Sequence, residues 1–331
     1  MKLIISILLV LFTRPAFAQC NGGVTVTTTL EVTASCNGGN IKGLTLDTGA
    51  DVTIASGVTV SNDAQKGVTG RSVVILETST SAKLVNYGSI YTYNQWGLWN
   101  KPGGNVDVAN FGQITGVVRY GISNQSTITS LTNIGSITGG FASIGNGSAS
   151  IKNLNNLQGS HTTGPLNIRG NLPENYNIII KSPTQYGQFS ALSFAPGNIQ
   201  ISAANNIYGN LGTTLVSGVD ASVVSEGRYL EVLQDFPTLN NISDTTGTYG
   251  RFNYSLVANE SLLNAWDLLF VFAGPSVVDT QASVQSLASD LRGGFSQQLI
   301  ATNFANMNTY DCDLFDTRGF CLCGWPTDLC G

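Results

Sequence analysis

A five-residue pattern returns four times at a nearly constant interval, reading Asn86-Tyr-Gly-Ser-Ile90, Asn110-Phe-Gly-Gln-Ile114, Asn133-Ile-Gly-Ser-Ile137 and Asn153-Leu-Asn-Asn-Leu157. The leading asparagines are 24, 23 and 20 residues apart. A unit that short cannot bury its own apolar face, so neighbouring copies must stack and share one interior. This confines the stretch to a solenoid.

The solenoid is predicted to be of β type. Val24-Thr-Val26, Leu44-Thr-Leu46, Val52-Thr-Ile54, Val58-Thr-Val60 and Val106-Asp-Val108 alternate apolar and polar residues, the pattern of half-buried strands. Gly or Asn closes each run, as tight corners require. Trp96-Gly-Leu-Trp-Asn100 and Tyr120-Gly-Ile-Ser-Asn124 mark a second strand in each repeat. A third strand leads into each new asparagine. Three strands and three corners per repeat make one coil of a parallel β-helix, rising about 4.8 Å. Residues 20–160 should form about six coils, or roughly 25–30 Å of rod.

Asn86, Asn110, Asn133 and Asn153 are then expected to stack at one corner, their amides bonding along the axis and to the turn backbone. Ile90, Ile114, Ile137 and Leu157 should point inward. Trp96, Trp99 and Tyr120 are candidates for an outward aromatic strip that meets sugars.

Charged residues are only 11% of the chain, and the net charge is −5. No Lys/Arg run appears, which argues against nucleic acid as a partner. Residues 1–18 read as a secretory signal, with Lys2 as the positive end, Leu3 to Phe12 as the apolar core and Ala16-Phe-Ala18 before a cut at Gln19. No other segment has the roughly 18 uninterrupted apolar residues of a membrane helix. Six cysteines in an exported chain imply disulfides. Cys20 and Cys36 each open a Cys-Asn-Gly-Gly run and are expected to pair. Cys312 and Cys321 are the second expected pair, leaving Cys323 and Cys330 over.

Past residue 160 the repeat fades. Strands are expected at Ile178 to Lys181, Phe189 to Phe194, Asn198 to Ile201, Arg228 to Leu233 and Arg251 to Ala258, with Trp266-Asp-Leu-Leu-Phe-Val-Phe272 as a central buried strand. A solenoid end exposes unpaired strand edge, so this region should be its cap. From Val278 to Met307, Val284, Leu287, Leu291, Phe295 and Leu299 recur at helical spacing.

The secretory signal, the Gly/Asn-rich repeats, Asn171-Leu-Pro-Glu-Asn-Tyr176, Trp266-Asp-Leu-Leu-Phe270 and Tyr310-Asp-Cys-Asp-Leu-Phe-Asp316 followed by Cys321 together resemble the type V autotransporters. The resemblance spans nearly the whole chain. It implies a passenger carried to the cell surface by its own C-terminal outer-membrane barrel, with residues 160–272 assisting folding and residues 276–309 threading the pore. The expected partition is signal peptide 1–18, β-helix passenger 19–160, capping module 161–274, linker helix 275–309 and the start of a barrel at 310–331. The fold class is all-β: a right-handed parallel β-helix with a C-terminal β capping module and a short α-helical linker.

In that family amphipathic barrel strands follow the second cysteine. Here Leu322 to Gly331 follows instead, so the expectation is a product shortened by a frameshift or assembly error. The translocator barrel, the partner the family implies, is missing from these residues. The implied destination is the cell surface or outer membrane, or the periplasm if the shortening is real.

Catalytic patterns are sparse. His161 is the single histidine, any Ser-His-Asp triad would need it, and no Gly-x-Ser-x-Gly elbow is present. Asp311, Asp313 and Asp316 lack the Gly/Glu frame of a calcium loop. Asp47 and Asp51 are candidates for the acidic cleft of a β-helical polysaccharide lyase, without a basic residue clustered beside them, and acidic residues elsewhere are too scattered to mark a glycosidase pair. No cofactor, metal or catalytic residue is assigned. The leading expectation is a non-enzymatic, adhesin-like or shielding rod, with host or surface glycans as possible ligands. The alternatives are a β-helical carbohydrate-active enzyme and an inert autotransporter fragment.

Overall fold

A computed structural model describes residues 23–37, 43–62, 74–76, 81–195, 223–240 and 242–274, with short pieces at 199–200, 207–211, 214–215, 285, 314–315 and 321–322. The chain divides into two units, Met1–Phe272 and Ala273–Gly331. The first is a parallel β-solenoid, and its described residues contain no α-helix.

Three sheets run along the solenoid, each built from one strand per coil. The first passes in order through Val24–Val26, Leu44–Leu46, Val74–Leu76, Leu98–Asn100, Tyr120–Asn124, Ala142–Asn146, Leu166–Asn171 and Phe189–Ala195. The second includes Asp51–Ile54, Ser81–Asn86, Asn105–Asn110, Thr127–Asn133, Ser150–Asn156 and Asn175–Ser182. The third is shorter, with Cys36–Asn37, Thr59–Asn62, Ser89–Thr92, Gln113–Gly116 and Ser136–Gly139.

Register places like residues on top of like. In the first sheet Val74, Leu98, Ile122, Ile144 and Ile168 form one file, all fully buried. In the second, Val52, Leu84, Val108, Leu131 and Leu154 do the same and end on Tyr176. Ile90, Ile114 and Ile137 line the third. Each β-branched or Leu side chain meets its counterparts about 4.8 Å above and below, which gives a continuous dry interior. Truncating any one of the leucines or isoleucines to Ala removes about 2–5 kcal/mol.

Residue 160, expected as the edge of the passenger, is where the third sheet has ended and the other two continue. Leu166–Asn171 still pairs in parallel with Ala142–Asn146, and Asn175–Ser182 with Ser150–Asn156. Gly227–Gln234 then pairs with Phe189–Ala195 in parallel, and the first sheet closes with the antiparallel strands Trp266–Phe272, Phe252–Ala258 and Thr246–Tyr249. Trp266–Phe272 lies inside this set, flanked by Gly227–Gln234 and Phe252–Ala258. The core changes from aliphatic to aromatic here: Tyr176 packs on Phe189 at 4.7 Å between centroids, and Tyr229, Tyr249, Phe252 and Tyr254 surround Phe270. Larger rings fill a section that has lost one of its three walls.

Asp267 is fully buried in that end structure. Its Oδ1 accepts from Glu231 N at 2.8 Å and from Asn259 Nδ2 at 2.7 Å, and Arg228 lies 3.6 Å from its Oδ2. Oδ1 is thus satisfied, whereas Oδ2 is buried without a hydrogen-bond partner and has only the Arg228 charge nearby to offset its desolvation.

In the second unit Leu314–Phe315 pairs antiparallel with Cys321–Leu322. The signal peptide at 1–18 and the linker helix at 275–309 fall outside the described residues, apart from Gln285.

Candidate ligand surface

The Asn-x-Gly corner is set by two physical requirements. Asn86, Asn110 and Asn133 are fully buried and in register. Asn86 Nδ2 donates to Asn110 Oδ1 at 2.8 Å, and Asn110 Nδ2 donates to Asn133 Oδ1 at 2.8 Å. Each also donates to the turn of the next coil, at Gln113 O (3.0 Å) and Ser136 O (3.1 Å) respectively. The glycine two places on is needed because the coils touch there. A Cβ built on Gly112 would lie 1.9 Å from Gly88 O, and one on Gly135 would lie 1.9 Å from Gly112 O.

Asn153, expected as the fourth rung, is not on this column. It is in register with Ser130, whereas Asn156 is in register with Asn133 and accepts its Nδ2 at 3.2 Å. The true interval is therefore 23 residues, not 20. Asn153 belongs to an outer row instead, where its Oδ1 accepts from Asn175 Nδ2 at 3.1 Å, and Asn155 bonds Asn177 beside it. Leu157 likewise follows the rung and stands outside the Ile90 file, though it is buried.

A second ladder went unassigned in the sequence. Asn100 Nδ2 donates to Asn124 Oδ1 at 2.7 Å, and Asn124 Nδ2 donates to Asn146 Oδ1 at 2.8 Å. Asn146 Nδ2 ends it on Asn171 O at 2.8 Å. Asn100 and Asn124 were visible as the last residues of the Trp-Gly-Leu-Trp-Asn and Tyr-Gly-Ile-Ser-Asn segments. Asn124 Oδ1 also accepts from Ser126 N, two residues on, but the equivalent residue after Asn100 is Pro102, which has no N–H. Asn100 Oδ1 is accordingly buried without a partner.

Of the aromatic residues singled out from the sequence, Trp96 and Trp99 are in ring contact, while Tyr120 packs on Phe141 at 5.8 Å between centroids. Trp96 and Trp99 lie 5.0 Å apart, with Arg119 over the Trp96 ring at 5.3 Å and Lys101 over the Trp99 ring at 4.9 Å. Trp99 Nε1 donates to Gln125 Oε1 at 3.1 Å, while Trp96 Nε1 is shielded from solvent without a partner. Trp99, Ser123, Gly145 and Arg169 form one file across four coils. Because its middle members are small, the file sinks into a groove of about 560 Å³, bordered by Trp96, Tyr120, Gln125 and Arg169. The Tyr120 ring packs on Gly145 so closely that a Cβ there would come within 2.6 Å of it.

Residues considered for chemistry stay dispersed. His161 sits in the turn 159–164, where burial, and then the nearby Lys181, lower its pKa from the usual imidazole value. Asp47 accepts from Thr48 N in an exposed turn, and Asp51 is in register with Lys83. Among the described residues no group of three or more His, Cys, Asp or Glu side chains is placed to hold a metal ion. Asp311, Asp313 and Asp316 lie outside them. Cys36 is disulfide-bonded. Its expected partner Cys20 lies outside the described residues, as does Cys312, while Cys321 sits opposite Phe315.

Comparisons with protein-family models, with curated proteins and with solved structures give no match.

Proposed function

We propose that this chain is an exported, non-catalytic surface rod of the autotransporter passenger type, presenting a solenoid side wall as an adhesive or shielding surface. The observation that carries the reading is the parallel solenoid closed at its C-terminal end by antiparallel strands. Internal amide ladders and neutral outer side chains hold such a rod together with few charges, which suits a surface that must resist salt and pH changes. The secretory pattern before Gln19 supplies the route out of the cytoplasm.

The test is to express the chain from Met1 in a Gram-negative host, fractionate the cells and sequence the mature N-terminus. The expected product begins at Gln19 and is found outside the cytoplasm. An uncleaved product retained in the cytoplasm overturns the reading. Sequencing the DNA beyond the codon for Gly331 gives an independent check, because a passenger requires a barrel-coding frame there or at a linked locus.

A further inference from the structure

We propose that the groove over Ser123 and Gly145 binds a saccharide that carries a carboxylate. It deepens the surface-rod reading, which supplies the setting in which the ligand is met.

The groove is a product of register. Trp99, Ser123, Gly145 and Arg169 occupy the same outward position in four successive coils, so the file runs about 14 Å at the strand spacing of about 4.8 Å. Large side chains stand at the two ends and small ones between them. The groove itself reaches from Ser123 to Arg169 and is not lined by Trp99, and the Tyr120 ring covers Gly145 within it, so a short saccharide would lie beside that ring. The volume of about 560 Å³ is within the range of small-molecule sites.

The lining suits sugars in kind as well as in size. Tyr120 lies across Gly145 and offers an aromatic surface to the apolar face of a pyranose. Gln125, Ser123 and Ser148 supply neutral hydrogen-bonding groups for hydroxyls. Trp96 forms part of the wall through its ring, since its Nε1 is turned out of solvent.

Charge selects among saccharides. The chain carries a net charge of −5, yet no Asp or Glu lines the groove. Arg169 closes one end, exposed and in no ion pair among the described residues. Lys101 and Arg119 are held over the tryptophans at the other end. An arginine fork gives a carboxylate two parallel charge-assisted hydrogen bonds, whereas a neutral sugar offers it only the weaker uncharged hydroxyl acceptors. A uronic acid within a chain and a terminal sialic acid both carry that group.

The experiment titrates purified protein with trigalacturonate, with sialyllactose and with neutral maltotriose, following tryptophan fluorescence and heat of binding. At least one acidic probe is expected to saturate at millimolar concentration or below and to bind at least about tenfold tighter than maltotriose. Its affinity should fall as salt rises, and whichever acidic probe binds identifies the source. Arg169→Gln, at an exposed position, should weaken binding at least about fivefold with an unchanged thermal melt. Tyr120→Leu should weaken all probes that bind. The proposal is overturned if neither acidic probe binds at 10 mM, if maltotriose binds as well as they do, or if Arg169→Gln binds like the parent. Because the assay uses purified protein, it can succeed or fail whatever the export experiment shows.

Discussion

Replacing Asn110 by Ala separates an internal ladder from a decorative row of surface amides. Asn110 is fully buried and joins three coils. Its removal strips the donor from Asn133 Oδ1 (2.8 Å) and from Ser136 O (3.1 Å), and strips the acceptor from one hydrogen of Asn86 Nδ2 (2.8 Å). Asn86 keeps its second bond, to Gln113 O at 3.0 Å. One acceptor, Asn133 Oδ1, and one N–H of Asn86 are thus left unpaired in a buried site, with the part-buried Ser136 O and Gly112 O (3.3 Å) losing a donor beside them. At about 1–3 kcal/mol for each buried unsatisfied group, with partial relaxation, the loss is about 3–5 kcal/mol.

Asn153→Ala is the matched control. Asn153 is only partly buried, and its bonds to Thr129 O (3.3 Å) and Asn175 Nδ2 (3.1 Å) lie on the outer face, where water can replace them. Its loss should be at most about 1 kcal/mol. Urea unfolding followed by tryptophan fluorescence reads the difference. Hydrogen exchange over 105–140 supplements it, because a stacked array can open locally rather than all at once. Equal destabilisation by the two variants, or a loss below about 1 kcal/mol for Asn110→Ala, would refute the view that the inner column carries the coil-to-coil bonding.

Three further outcomes are expected. Gly112→Ala places a Cβ 1.9 Å from Gly88 O, so the coils must separate and the melting temperature should fall by many degrees, whereas Gly147→Ala meets nothing within 4 Å and should melt like the parent. Asn124→Ala should destabilise more than Asn100→Ala in denaturant titrations, because Asn100 Oδ1 is already without a partner and its removal relieves that cost. His161 has its pKa lowered by burial and by Lys181, so the folded state binds fewer protons there than the unfolded chain. Stability linked to this residue is present above an imidazole's ordinary pKa of about 6.5 and is lost as pH falls below it, and His161→Gln should flatten the pH dependence of the melting temperature in that window.

The stacked architecture was legible because its cause is local and repeated. Each coil must hide the same face, so apolar alternation and the Asn-x-Gly corner recur in the sequence itself. The second ladder was half legible, since Asn100 and Asn124 end matching segments, but Asn146 follows Ser-Ile-Gly and carries no aromatic marker. The groove was not legible. Its aromatic border could be named from the sequence, but its depth depends on Ser123 and Gly145 falling in register with Trp99 and Arg169, which is a property of pairing between coils.

The misplaced fourth rung shows why motif matching fails where a fold changes. The segment 153–157 contains three asparagines, and the motif resembles itself best when started at Asn153. The constant interval of 23–24 residues selects Asn156 instead, with Gln158 where the other coils have glycine. That substitution has a structural meaning. Gln158 Oε1 accepts from Ile137 N at 2.7 Å and from Asn133 Nδ2 at 3.0 Å, and its Nε2 donates to Ile137 O at 3.2 Å. One side-chain amide thus supplies the donor and acceptor that the peptide of a next strand would have offered to Ser136–Gly139. At Ile137 the open edge of the third sheet is thus satisfied without another strand, which is one way an exposed edge can be closed against further pairing. The chain then turns at 159–164 and returns to the first sheet at Leu166. A departure from the repeat at this position is therefore the signal that the third wall stops, and it places the architectural change inside the last recognisable motif.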